Sequence, residues 1–201
     1  MTKVHPSAAA CCATGEDVGR KGFGASVLTV WRKSLLFSCR GFTVFDAEGS
    51  LLFRVDTYGS GSTGEVVLMD AAGKPLLTLR RKVRGKSSLG EKWLVYDGED
   101  AVGPLCSVKK HVNLSHSRAL AHVTPCRRGG GGAYGYEVEG SYARRSCAVY
   151  DQRRRRVAEI RKKEPVGGVA FGGDVFRLVV QSDLDTRLAM AIVIALDYMF
   201  R

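Results

Sequence analysis

The 201-residue chain, 21.8 kDa, is long enough for one domain with a sizeable core and too short for two ordinary ones plus a linker. Apolar residues make up 45% and charged residues 25%, which argues against intrinsic disorder, collagen-like repeats and a polytopic membrane protein. Thirty-one Lys and Arg against twenty Asp and Glu leave +11, a surplus that favours anionic partners such as phospholipid headgroups or nucleic acid.

The surplus sits in the middle of the chain. Residues 1–79 carry 8 basic and 7 acidic groups, residues 80–163 carry 20 and 8, and residues 164–201 carry 3 and 5. The plainer account of these charges is that they keep the outer faces and turns of a sheet soluble and blunt its edges.

At the N-terminus, MTKVHPSAAACC lacks the apolar core of a secretory signal. Six cysteines (Cys11, Cys12, Cys39, Cys106, Cys126, Cys147) are irregularly spaced with no CxxC pair, so free thiols in a reducing, intracellular compartment are expected. Cys11 and Cys12 could accept palmitate, although an unmodified tail is the simpler reading; Thr2 in place of Gly excludes myristoylation. His111, His116 and His122 lie near Cys106 and Cys126, but no pair has structural-zinc spacing, so no metal site is expected.

One short pattern then recurs four times. Val44-Phe45-Asp46 leads through Gly49 to Leu52-Phe53-Arg54-Val55, and Leu68-Met69-Asp70 leads through Gly73 to Leu76-Leu77-Thr78-Leu79. Val95-Tyr96-Asp97 runs to Leu105-Cys106-Ser107-Val108 with two extra residues, and Val149-Tyr150-Asp151 runs to Val157-Ala158-Glu159-Ile160. Each unit reads as a β-hairpin, with the Asp carboxylate bonding backbone N–H two residues on and a glycine supplying positive φ. The pattern places Cys106 at the core position of Leu77 and Ala158, while Arg144 and Arg145 raise the question of a thiolate at Cys147. Further runs at Leu28–Trp31, Tyr136–Val138 and Val175–Val180 bring the total to about a dozen strands, an antiparallel sandwich or barrel. The loop Arg127–Gly132 reads as a flexible insertion.

The last segment changes period. Ser182 and Asp185 form a capping-box start, and Leu184–Phe200 contains no Gly or Pro. Leu188–Leu196 is apolar on every side, yet its 9 residues fall short of a bilayer span. A sheet closed around this helix satisfies both observations.

Motifs for chemistry are absent or misplaced. Gly59–Gly64 spells GxGxxG, but Glu65–Met69 after it is another strand rather than a helix that could face a pyrophosphate. Asn113-Leu114-Ser115 is a glycosylation sequon that an intracellular location leaves unused. No catalytic residue, cofactor site or metal site is expected.

The blocks Val27–Tyr58, Val66–Lys82, Glu139–Asp151, Val157–Lys163 and Asp174–Phe200 resemble the plant LURP-one-related family. That family resembles tubby C-terminal domains and phospholipid scramblases. The resemblance implies a mainly β fold: a tubby C-terminal-like, twelve-stranded antiparallel β-barrel enclosing a hydrophobic C-terminal α-helix. On this reading residues 1–25 form a flexible N-terminal tail and residues 26–201 the single barrel domain. It also implies a connection with plant defence, and phosphoinositide binding by analogy with tubby domains. A convincing acidic Ca²⁺ loop is missing, which weighs against a scramblase-like lipid transporter.

Basic groups end the second strand of three repeats: Arg80-Arg81-Lys82, Lys109-Lys110 and Arg161-Lys162-Lys163. In an up-and-down sheet these ends meet on one rim, forming a candidate anionic-lipid site, with Arg153–Arg156 at the opposite, hairpin-turn end. The function expected is a non-enzymatic, monomeric membrane-tethering or phosphoinositide-binding module in the cytoplasm, associating peripherally with the plasma membrane, with the nucleus as a second location. The alternative is a nucleic-acid-binding transcriptional regulator using Arg80–Lys86 and Arg153–Arg156, although no base-reading helix or RNP-like aromatic motif accompanies these charges.

Overall fold

The computed structural model describes residues 24–35, 40–57, 64–82, 90–99, 102–112, 118–126, 135–165, 167–168 and 171–200. Cys11, Cys12, Cys39, Arg84, Lys86, His116, the sequon at Asn113–Ser115, the loop Arg127–Gly132 and the segment Gly59–Thr63 lie outside the described residues.

The strands, in chain order, are β1 (Ser26–Trp31), β2 (Arg40–Phe45), β3 (Leu51–Thr57), β4 (Glu65–Asp70), β5 (Pro75–Lys82) and β6 (Lys92–Asp97). They continue as β7 (Cys106–Lys110), β8 (Ala119–Pro125), β9 (Tyr136–Ser141), β10 (Ser146–Tyr150), β11 (Arg156–Lys162) and β12 (Val175–Val180), before the helix α1 (Thr186–Phe200). Each strand pairs antiparallel with its neighbours in sequence. Pairing of β1 with β12, through Leu28↔Leu178 and Val30↔Phe176, closes the sheet into a barrel. Closure removes both sheet edges, which would otherwise offer unpaired N–H and C=O groups to other chains.

Alternation along each strand decides what fills the barrel. Leu28 and Val30, Phe42 and Val44, Phe53 and Val55, Leu77 and Leu79, and Phe176, Leu178 and Val180 point inward and are buried. They meet α1, in which every residue from Ala189 to Leu196 is buried. Fifteen residues make a helix about 22 Å long, enough to thread the barrel. Among the described residues, no helix is long and apolar enough to cross a membrane.

The four repeats are hairpins β2–β3, β4–β5, β6–β7 and β10–β11. Their turn chemistry goes beyond the expected bond two residues on, which Asp151 accepts from the Arg153 N–H. Asp46, Asp70 and Asp151 each accept a backbone N–H four residues on, from Ser50 (2.7 Å), Lys74 (2.8 Å) and Arg155 (2.8 Å). The residue before each donor is left-handed (Gly49, φ 86°; Gly73, φ 90°; Arg154, φ 61°) and turns the next N–H back to the carboxylate. The register shift at the end of β2, β4 and β10 is the accompanying bulge. Asp97 departs from this turn pattern: after its longer connection, Gly98 N donates to Leu76 O instead.

The helix start is also corrected. Asp185, rather than Ser182, is the N-cap: its Oδ1 accepts from Arg187 N at 2.8 Å and its carbonyl from Ala189 N at 2.9 Å. Leu184 belongs to the preceding turn, its N–H donating to Gln181 O while its side chain is buried in the core. Placing Leu184 in the barrel mouth requires that turn, so the helix begins at Thr186.

Candidate functional site

The topology gives the barrel two unlike rims. The Asp-led turns and the start of α1 share one, the hairpin rim; α1 ends at the other, the exit rim. All eight candidate residues, Arg80, Arg81, Lys82, Lys109, Lys110, Arg161, Lys162 and Lys163, lie at or next to the exit rim, where β5, β7 and β11 end.

Their engagements differ. Arg80 is tied to Glu65 (2.7 Å) and stacks on Tyr96, Arg81 is paired with Glu91 (2.9 Å), and Arg161 with Glu159 (2.7 Å). Glu159 also raises the Arg161 pKa by hydrogen bonding and proximity, so this guanidinium is held as a cation by its own neighbour. Lys110 follows the inward phase of Cys106 and Val108. It reaches the end of α1, donating to Met199 O at 2.7 Å with its Nζ 4.5 Å from the Phe200 ring centroid. Lys163 contacts Thr29 Oγ1 at 3.3 Å. Lys82, Lys109 and Lys162 have no carboxylate partner among the described residues.

Cross-strand register adds a residue that sequence reading missed. Lys82 on β5 faces Lys92 on β6, and Lys92 faces Lys109 on β7, so three lysines stand side by side on the outer wall. His122 on β8 is next in the row, and its Nε2 lies 3.0 Å from His111 Nδ1. Directly opposed like charges destabilise a sheet, and among the described residues none of these lysines has a carboxylate within ion-pair distance. Lys92 begins a strand rather than ending one, so a search of strand ends passes over it. Counting back from the Val95-Tyr96-Asp97 repeat at hairpin register would have found it.

The hairpin rim has the opposite character. Arg154 is bound by Glu139 (2.8 Å) and Glu137 (3.4 Å), Arg155 by Asp151 (2.8 Å) and Asp183 (3.0 Å), and Arg156 by Glu159 (3.0 Å). Partial burial pushes the Asp151 carboxyl up, but the N–H and guanidinium of Arg155 outweigh that and hold its pKa below the ordinary carboxylate value. A cavity of about 180 Å³ is lined by Asp151, Gln152, Arg153 and Arg155. The tetra-arginine turn is thus largely neutralised from within, Arg153 alone among its four arginines having no carboxylate partner among the described residues.

Near the exit rim, Asp197 of α1 is buried and accepts from Tyr142 Oη (3.2 Å) with Arg32 Nε 3.5 Å away. Burial, reinforced by the Asp197 charge, raises the Tyr142 phenol well above its ordinary range. Arg145 lies between the Tyr142 and Phe176 rings, 4.2 and 4.4 Å from their centroids. Burial pushes the Cys106 thiol up to about 12, and the Cys147 thiol to about 11 although Arg145 pulls it back in part. Both are neutral at physiological pH, which answers the question of a Cys147 thiolate. Among the described residues no group of three or more His, Cys, Asp or Glu side chains could hold a metal ion.

Fold and site together define a helix-filled, closed β-barrel with one basic mouth. A family model described as LURP-one-related matches residues 26–197, and the chain belongs to that family. Protein LURP-one-related 8 of Arabidopsis thaliana is 49% identical over 205 residues, covering 100% of this chain and 99% of its own. LURP-one-related 17 of the same plant is 40% identical, covering 89% and 85%. An X-ray structure of an Arabidopsis thaliana protein superposes with a TM-score of 0.62 over 88% of this chain and 92% of that one; at 24% identity it speaks for the fold alone.

Proposed function

We propose that the chain is a non-enzymatic module that binds anionic phospholipid headgroups, phosphoinositides among them, and tethers to a membrane surface through its exit rim. The lysine row Lys82–Lys92–Lys109 carries this reading, because it opposes like charges that have no carboxylate within ion-pair distance among the described residues. A phosphate partner offsets that repulsion. Each lysine held near an anionic leaflet contributes about 1 kcal/mol, so the row supports reversible attachment. A cytoplasmic monomer that visits the plasma membrane, in the defence setting the family resemblance implies, belongs to the same proposal. Nucleic acid offers phosphates too, but α1 is buried inside the barrel and cannot enter a groove.

The test is flotation with phosphatidylcholine vesicles containing phosphatidylserine or a phosphoinositide, run beside a DNA mobility-shift assay over a salt series. Replacing Lys82, Lys92 and Lys109 together by Gln should weaken vesicle binding by about 3 kcal/mol, roughly 100-fold. Replacing Arg154, Arg155 and Arg156 by Gln should change it little. Equal losses from the two sets, or tighter binding to DNA than to every vesicle, would reject the reading.

A further inference from the structure

We propose that the exit rim also carries an aromatic anchor, Trp31 with Phe171, which enters the headgroup boundary of an anionic bilayer on the far side of the mouth from the lysine row. This rests on the anionic-lipid reading above and adds how the barrel stands on the surface. Trp31 ends β1 on its outer face and is 38% exposed, and Phe171 is 39% exposed. Each is accompanied by a lysine: Lys33 Nζ lies 5.1 Å from the Trp31 ring centroid, and Lys163 Nζ 5.3 Å from that of Phe171.

The two pairs belong to one patch. Lys163 Nζ touches Thr29 Oγ1 at 3.3 Å, and Thr29 shares the outer face of β1 with Trp31 two residues on. Facing Thr29 across the sheet is Arg177, and facing Arg177 is Arg161, so another cationic row lies just below the aromatics. Three carboxylates are near: Asp174, 3.4 Å from Arg32, Glu159, 2.7 Å from Arg161, and Glu164, which acts on Arg161 through its charge. The cations outnumber them. Exposed aromatic rings ringed by Lys and Arg suit an interface with an apolar interior and anionic headgroups, where a ring enters the boundary and the ammonium groups stay at phosphate level.

In the strand order β1 is separated from β6 by four intervening strands on one side of the barrel and six on the other, so anchor and lysine row occupy nearly opposite walls near one rim. Contact at both sets the barrel axis steeply against the bilayer.

The chain reports on this directly, because it holds two tryptophans and Trp93 is 1% exposed. On adding mixed phosphatidylcholine–phosphatidylserine vesicles to the full-length protein, Trp31 emission should shift to the blue and become quenchable by brominated acyl chains. The shift should vanish in Trp31→Phe, whose remaining tryptophan, Trp93, is buried. Trp31→Ser with Phe171→Ser should bind about tenfold more weakly, with the salt dependence unchanged. Binding by flotation with unshifted, unquenched Trp31 overturns the anchor and leaves the lysine row standing; no binding to anionic vesicles overturns both. A double variant that binds like the wild type also rejects the anchor.

Discussion

Lys110 caps the helix that fills the barrel: from the end of β7 its Nζ donates to Met199 O at 2.7 Å and lies 4.5 Å from the Phe200 ring centroid. The ammonium satisfies a terminal carbonyl and sits at the negative end of the helix dipole, where a cation is favourable. Lys110→Met should therefore lower stability by about 1–2 kcal/mol in urea unfolding while leaving vesicle binding close to wild type. A Lys110→Met protein of unchanged stability that had lost vesicle binding would show that this lysine faces the ligand instead.

Ile192 and Ile194 are 1% and 0% exposed although they point from α1 in different directions. A carboxylate at either position has no water and no partner, a penalty of several kcal/mol against a stability of about 5–15 kcal/mol. Ile192→Asp and Ile194→Asp should each abolish soluble folding. Either one melting at the wild-type temperature would refute a helix enclosed on all sides.

At Gly41 an added Cβ would lie 1.7 Å from Val55 O, with Ser34 Cβ 3.3 Å away. Gly41 faces Asp56, whose carboxylate accepts the Ser34 hydroxyl and so holds the start of the β1–β2 connection against the outside of β3. Gly41→Ala should destabilise by about 1–3 kcal/mol or more by forcing strands apart. At Gly172 an added Cβ would meet nothing within 4 Å, so Gly172→Ala should stay within about 0.5 kcal/mol of wild type in the same thermal melt.

Cys106 and Cys147 are buried and Cys126 is exposed. Peptide-level mass spectrometry after brief maleimide treatment at neutral pH should find Cys126 modified and the other two protected until denaturant is added. The folded state raises these two thiols from 9.0 to about 12 and about 11, so their contribution to stability is full below pH 9 and lost as pH climbs through the folded values. Cys106→Ala with Cys147→Ala should flatten the fall in melting temperature above pH 9; an identical alkaline slope would refute the neutral-thiol assignment.

Much of this architecture was legible because its signals are local. The repeated Asp with Gly three residues on encodes a bulged turn, and an all-apolar segment too short for a bilayer must be wrapped in protein. Placement of the rims followed from strand direction alone. What was not legible depends on neighbours distant in sequence. Arg81 and Lys110 both end basic strands, yet Glu91 occupies one and Met199 O the other. The Lys82–Lys92–Lys109 row and the His111–His122 contact require the register of two hairpins, which no composition of a single strand reveals. Asp185 took the cap from Ser182 because the core claimed Leu184, a tertiary demand that overrides a local motif.

That α1 follows all twelve strands in chain order has a consequence for biosynthesis. The strands leave the ribosome first, and their inward faces, including Val30, Val44, Leu68 and Leu79, have nothing to bury against until the helix is made. The closing pair β1–β12 joins segments about 145 residues apart, a loop whose ordering is slow to form. The barrel is therefore completed only after α1 has left the ribosome. A nascent chain arrested before Thr186 would expose the whole unfilled lining and depend on chaperones to stay soluble.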